Sequence, residues 1–188
     1  AREKTMKAKG LVIVNTGNGK GKTTAALGLA LRAWGQNLRI LIIQFIKGGC
    51  RYGELEALQA LPGDRIKIVQ MGEGFTRKNT GIEQDEHIKA AQTALEKAAE
   101  EEKSGKWDMI ILDEPSVGLD PKQIIEMRDL IRKLAENHTV ILSSHILTEI
   151  REVCDYILII SKGKLVAQDT LENLEKMIGF HDVIELET

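Results

Sequence analysis

Short apolar runs alternate along this chain with stretches of helical periodicity, the pattern of a parallel sheet covered by helices. Leu11-Val12-Ile13-Val14 has no polar interruption, as a strand buried on both faces requires. A glycine-rich turn follows, then a helix predicted from about Lys22 to Trp34 and closed by Gly35. Ile40–Phe45 and Ile66–Gln70 read as two further strands. Between them a short helix, Gly53–Leu61, is stopped by Pro62-Gly63. A long amphipathic helix is predicted from about Ile82 to Lys103, with Ile88, Ala91, Leu95 and Ala98 on one face. Met109–Leu112 is the next strand.

Beyond that strand Asp120 is suited to cap a helix, with Pro121 at its first position and Gln123 where a capping box wants it. This helix is expected to reach about Glu136, with Ile124, Met127, Ile131 and Leu134 toward the core. Thr139–Leu142 reads as a strand and Ile146–Val153 as a helix. The pattern then changes. Tyr156–Ile160 and Lys164–Gln168 flank Lys162-Gly163, which predicts an antiparallel hairpin. A last helix, Leu171–Ile178, and an edge strand at Val183–Leu186 complete the expected elements. No repeat, low-complexity tract or linker interrupts them, so residues 1–188 are read as a single domain.

Composition narrows the function classes. Hydrophobic residues make up 43% and charged residues 29%, which excludes a disordered chain. Lys+Arg 26 against Asp+Glu 28, with aromatics at 4%, provides neither a basic footprint nor stacking platforms, so nucleic acid is not an expected partner. Cys50 and Cys154 are too far apart in sequence for a metal-ligand pair and too few for a disulfide framework; both are expected reduced. No long apolar run or signal-type start occurs, so no membrane insertion and a cytoplasmic location are expected. No feature of the sequence selects an oligomeric state.

Thr16-Gly17-Asn18-Gly19-Lys20-Gly21-Lys22-Thr23-Thr24 lies between a buried strand and a helix, the context of a phosphate-binding P-loop. Its glycines let the backbone wrap around phosphates, and its N–H groups join those of the helix start in facing negative charge. Lys22 is expected to reach the terminal phosphates and the Thr23 hydroxyl to take a place on Mg²⁺. Thr16 stands where the usual pattern begins with glycine. The strand Met109–Leu112 ends in Asp113-Glu114. Asp113 is the expected second magnesium residue, and Glu114 is placed to polarise a water in line with the terminal phosphate. The fold class that follows is α/β: a three-layer P-loop fold, mostly parallel sheet with helices on both faces, and a C-terminal antiparallel hairpin.

Two family resemblances sharpen this reading. The stretch GLVIVNTGNGKGKTTAALGLALRAWGQNLRILIIQFIKGG, continued by Tyr52-Gly53-Glu54 and Met71-Gly72-Glu73-Gly74-Phe75-Thr76, resembles the ATP:cob(I)alamin adenosyltransferases over about residues 10–112. The resemblance implies that the P-loop holds ATP while reduced cobalt attacks the ribose 5′ carbon, with triphosphate leaving. A corrinoid is therefore the second ligand it implies. An aromatic residue follows Phe75-Thr76 in that family and helps shape the corrinoid face; here Arg77 stands there.

The stretch LDEPSVGLDPKQIIEMRDLIRKLAENHTVILSSHILTEIREVCDYILIISKGKLVAQDTLENL resembles the C-terminal half of an ABC transporter ATPase subunit over about residues 107–178. That resemblance implies Asp113 and Glu114 as magnesium residue and general base. It also implies Asp120 in the loop that communicates across a nucleotide-sandwich dimer, and His145 as the switch histidine on the γ-phosphate. The Leu-Ser-Gly-Gly-Gln signature of ABC ATPases does not occur; Ile82–Trp107 fills the segment upstream of the carboxylate strand. The two resemblances together describe a hybrid joined near residue 110, as in an engineered chimera. It is expected to bind ATP with Mg²⁺ and to turn over at most as a weak ATPase or a residual corrinoid adenosyltransferase.

Overall fold

A computed structural model describes residues 10–45, 52–71, 81–117 and 119–179. Seven strands form one sheet: β1 (Val12–Thr16), β2 (Ile40–Gln44), β3 (Ile66–Gln70), β4 (Met109–Asp113), β5 (Thr139–Ser143), β6 (Tyr156–Ser161) and β7 (Lys164–Asp169). Their spatial order is β3-β2-β4-β5-β1-β6-β7. All neighbours pair in parallel except β6 and β7, which are antiparallel. The helices are α1 (Lys22–Gly35), α2 (Gly53–Gln59), α3 (Gly81–Lys103), α4 (Pro121–Ala135), α5 (Leu147–Ile150) and α6 (Leu171–Gly179).

The continuous apolar runs are explained by two cores, one on each sheet face. Leu41, Ile43, Ile110, Leu112, Val140 and Leu142 pack with Ala91, Ala94 and Ala98 of α3 and Met127, Ile131 and Leu134 of α4. Their alternate neighbours Ile40, Ile42, Ile111 and Ile141 pack with Ala26, Ala30 and Ala33 of α1 and Leu58 of α2. A strand covered on both sides has no face left for polar residues. The small residues of α1 and α3 let those helices lie close against the broad β-branched strand side chains. The predicted core positions Ala91, Ala98, Ile124, Met127, Ile131 and Leu134 are buried, and Leu95 packs against the same cluster. The side chain of Ile88 lies outside the described residues.

Helix α4 begins with the predicted capping box. Asp120 accepts from the Gln123 backbone N–H at 2.8 Å, and Gln123 Oε1 accepts from the Asp120 N–H at 3.0 Å. The first strand, however, runs to Thr16 and leaves Leu11 half exposed, because Asn15 and Thr16 continue the ladders to β5 and β6. The helix expected over Ile146–Val153 is helical only at Leu147–Ile150. The chain must turn there to start β6 beside β1: Val153 enters the core, the Asp155 N–H donates to Val12 O at 2.9 Å, and Asp155 Oδ2 accepts from the Val12 N–H at 2.7 Å. The edge strand expected at Val183–Leu186 lies outside the described residues, as do Cys50, the segment Gly72–Thr76 and Arg77. Cys154 is a free thiol. Among the described residues no helix is long and apolar enough to cross a membrane.

A candidate nucleotide site at the carboxyl ends of the strands

In parallel α/β sheets ligands bind beyond the carboxyl ends of the strands, where connections diverge. Here β1 ends in the glycine-rich loop, β4 in Asp113-Glu114, and β5 in Ser143-Ser144-His145, all at that edge. The residues expected from the sequence for the nucleotide site, from Thr16 to Thr24 with Asp113, Glu114 and His145, lie there.

The loop leaves β1 at the buried Thr16 and turns through Gly17, Asn18, Gly19, Lys20 and Gly21 into Lys22, Thr23 and Thr24 of α1. Gly17 has φ 113°, and a Cβ there would sit 2.3 Å from the carbonyl oxygen of Ile160. Glycine is required twice over, by dihedral angle and by space. Gly21 caps α1 with φ 122° and offers no side-chain hydrogen bond, so the first-turn N–H groups are left to an outside acceptor. Helix α4 contrasts with this, its first turn being closed by Asp120. The Lys22 ammonium donates to the carbonyls of Gly17 and Gly19, each at 3.0 Å, and so spans the loop. Asn15 Nδ2 donates to Lys22 O at 3.4 Å beneath it.

The carboxylate strand meets this loop directly. Thr23 Oγ1 donates to Asp113 Oδ1 at 2.8 Å. Asp113 is buried, and its Oδ2 accepts from Gln44 Nε2 at 3.2 Å, while Gln44 Oε1 accepts from Gln70 Nε2 at 2.9 Å. Thus Gln44 of β2 holds the carboxylate, and Gln70 of β3 in turn holds Gln44. Sequence reasoning missed both. The available signal was a polar residue ending an apolar strand, Ile40-Leu41-Ile42-Ile43-Gln44, at the edge where parallel sheets carry their ligands.

Glu114 takes a different course. Its backbone has φ 56°, a left-handed conformation that a non-glycine residue keeps only when its surroundings impose it. The Glu114 N–H donates to Ser143 O at 2.7 Å, which ends β4 and swings the side chain away from Asp113 toward His145. His145 Nδ1 lies 2.7 Å from Glu114 Oε2. Among the described residues no group of three or more His, Cys, Asp or Glu side chains converges as a metal cage. The hard oxygen donors of Thr23 and Asp113 form a close hydroxyl–carboxylate pair at the loop.

Comparison with known proteins gives the lineage. A corrinoid adenosyltransferase from Sinorhizobium sp is 34% identical over 166 residues, covering 84% of this chain and 76% of that protein. The bacitracin transport ATP-binding protein BcrA of Bacillus licheniformis is 48% identical over 71 residues, but these span only 37% of this chain and 23% of that protein. A solved ATP-binding subunit of an ABC transporter superimposes with a TM-score of 0.47 at 19% identity, over 93% of this chain and 84% of the other. The family model of ATP:corrinoid adenosyltransferases BtuR/CobO/CobP matches residues 8–176. With that match spanning the phosphate loop, the carboxylate strand and the hairpin, the chain belongs to the ATP:corrinoid adenosyltransferase family BtuR/CobO/CobP.

Proposed function

We propose that this chain binds ATP as its magnesium complex at residues 16–24, that its two halves derive from different P-loop families, and that its turnover is weak or absent. The observation that carries the reading is the 2.8 Å contact between Thr23 Oγ1 and Asp113 Oδ1. It joins the phosphate loop to the carboxylate strand through two oxygens of the kind magnesium prefers. Magnesium retains waters and phosphate oxygens rather than demanding a full protein cage, so Thr23 and Asp113 suffice as its protein side. Bound there, it would neutralise charge on the terminal phosphates. Gln44 holds the Asp113 carboxylate in place, Lys22 supplies a second positive charge, and the uncapped start of α1 supplies oriented N–H donors.

Support for a composite origin comes from the concentration of BcrA-like sequence in a 71-residue stretch while the phosphate loop carries the corrinoid-family pattern. The seam would fall near β4, a strand that both families end in a carboxylate. Such a join suggests an engineered chimera. Titration calorimetry with ATP, with and without magnesium, tests the function. The expected result is saturable binding that is lost when magnesium is chelated. Binding indifferent to magnesium would overturn the roles of Thr23 and Asp113, and no binding would overturn the reading.

Adenosyl transfer to a corrinoid is the second reading, supported by the family match over residues 8–176. In that reaction a cobalt–carbon bond forms at the ribose 5′ carbon as its bond to the triphosphate oxygen breaks. Lys22 and the α1 N-terminus would then stabilise the departing triphosphate.

A further inference from the structure

Asp113 belongs to a row of polar side chains that crosses the sheet. Pairing sets Gln70 of β3 opposite Gln44 of β2 and Gln44 opposite Asp113 of β4. Asp113 lies opposite Ser143 of β5, and Ser143 opposite Asn15 of β1. Residues in register share a sheet face, and those two positions earlier, Ile42, Ile111 and Ile141, pack with α1. The row therefore lies on the α1 face, beneath the phosphate loop. We propose that Gln44, itself held by Gln70, is a positioning residue that makes Asp113 select magnesium over larger divalent cations. This role rests on the nucleotide reading above and deepens it.

The two glutamines form a relay with a defined direction. Gln70 Nε2 donates to Gln44 Oε1 at 2.9 Å, and Gln44 Nε2 donates to Asp113 Oδ2 at 3.2 Å. An amide has one accepting end and one donating end. By engaging the oxygen of Gln44, Gln70 turns its NH₂ toward the carboxylate. Thr23 Oγ1 meanwhile donates to Oδ1 at 2.8 Å. Oδ2 is thus committed to the sheet, and Oδ1 faces the loop. On the other side of Asp113 the row offers no comparable hold. Ser143 Oγ and Asn15 Oδ1 are buried with no hydrogen-bond partner among the described residues.

Cation size enters through this restraint. Magnesium takes octahedral ligands at about 2.0–2.1 Å, whereas calcium takes more of them at about 2.3–2.6 Å and accepts both oxygens of one carboxylate. For Asp113 to present both oxygens, Oδ2 must leave Gln44. Gln44 is 0% exposed, so its freed NH₂ would find no water in exchange. A buried donor left unpaired is costly. The relay therefore opposes calcium-type coordination and leaves magnesium-type coordination undisturbed.

Calorimetry of Mg·ATP and Ca·ATP binding to the wild type, Gln44→Leu and Gln70→Glu tests this. The first substitution removes the donor with little change of volume. The second keeps Gln44 but puts a carboxylate against its amide, which then turns over and points its oxygen at Asp113. The wild type is expected to bind Mg·ATP roughly tenfold or more tighter than Ca·ATP, the effect of one charge-assisted hydrogen bond. Both variants are expected to narrow that ratio by roughly fivefold. Urea midpoints of the metal-free proteins are measured alongside. A purely structural role would lower stability and weaken both complexes equally; a ratio unmoved in both variants would overturn the proposal. Equal affinity of the wild type for the two complexes would also overturn it, and leave the phosphate loop standing. Narrowing in Gln44→Leu alone would remove Gln70 from the relay. If the wild type binds neither complex, the nucleotide reading itself fails, and the selectivity with it.

Discussion

His145 Nδ1 and Glu114 Oε2 share a 2.7 Å hydrogen bond that joins the residue after β4 to the second residue after β5. The pair meets because β4 and β5 are parallel neighbours with Asp113 opposite Ser143. The left-handed Glu114 backbone then aims its side chain along β5 rather than back at the loop. With a carboxylate as acceptor the proton sits on Nδ1. One Glu114 oxygen is thereby committed to His145, and in the proposed hydrolytic role the other would polarise a water.

From this arrangement ATP hydrolysis is expected to be slow and independent of dimer formation. The Leu-Ser-Gly-Gly-Gln loop that would face the phosphoryl oxygens in an ABC dimer does not occur in the sequence. Loss of one preorganised group of that kind costs about 2.7–4 kcal/mol of transition-state stabilisation. A steady-state phosphate-release assay over a range of protein concentrations, with Glu114→Gln as control, checks this. Rapid turnover that rises steeply with concentration and vanishes in that variant would refute it.

Lys22→Ala is expected to weaken ATP binding by roughly tenfold or more, since a charge-assisted contact of about 1.5–3 kcal/mol is removed. The far-ultraviolet dichroism should be unchanged, because among the described residues the ammonium bonds to carbonyls of the loop itself. Calorimetry showing undiminished affinity would detach the loop from phosphate.

Gly17→Ala should be more damaging than Lys22→Ala to both binding and stability. Its Cβ would collide with Ile160 O, and its φ of 113° is one that L side chains rarely adopt. A cost on the order of 1–3 kcal/mol is expected from the dihedral angle alone. Urea denaturation of the two variants, side by side, reads the difference; equal midpoints would contradict the packing of β6 on the loop.

Adenosyl transfer to reduced cobalamin is expected to be absent or much weaker than in relatives that carry an aromatic residue where Arg77 stands here. The expectation rests on that one departure from the family pattern and on the ABC-like sequence that follows β4. The change in visible spectrum on forming the adenosyl product measures it directly. If activity proves weak, Arg77→Trp should raise it; robust conversion by the wild type would make transferase the better description.

Glu101 ties α3 to β3 and predicts a pH dependence of stability. Its carboxylate accepts from Lys67 Nζ at 2.7 Å and from Trp107 Nε1 at 2.9 Å. The Lys67 hydrogen bond, opposed by desolvation and aided by Trp107, holds its carboxyl below the usual range. A depressed folded value contributes stability above the unfolded pKa and loses it as pH falls through the folded value. Glu101→Gln should therefore cost on the order of 1 kcal/mol at neutral pH, a modest figure because Lys67 is partly exposed to solvent. The difference from wild type should shrink as the pH drops below about 4.3. Urea midpoints at pH 7 and in mild acid check this; a constant difference would rule it out.

The local chemistry of the site was legible in the residues because it depends on short spacings. Gly17, Gly19 and Gly21 set the loop, Lys22 and Thr23 follow at fixed offsets, and Asp120 with Gln123 closes one helical turn of α4. The buried strands were likewise readable, since short β-branched apolar runs bounded by turn signals fit strands covered on both faces. Those patterns are set by neighbours a few residues away. Tertiary structure decided the rest. Thr23 meets Asp113 across 90 positions, and Gln44 links that carboxylate to Gln70 only because β2 lies between β3 and β4. The helix after β5 stops at Ile150 because the chain must return beside β1. A bulge beyond the regular pair Ile160–Leu165 shifts the hairpin register, so Ile159 pairs with Ala167 rather than Val166. Strand order and register arise from packing summed over the whole sheet, and no local periodicity encodes them.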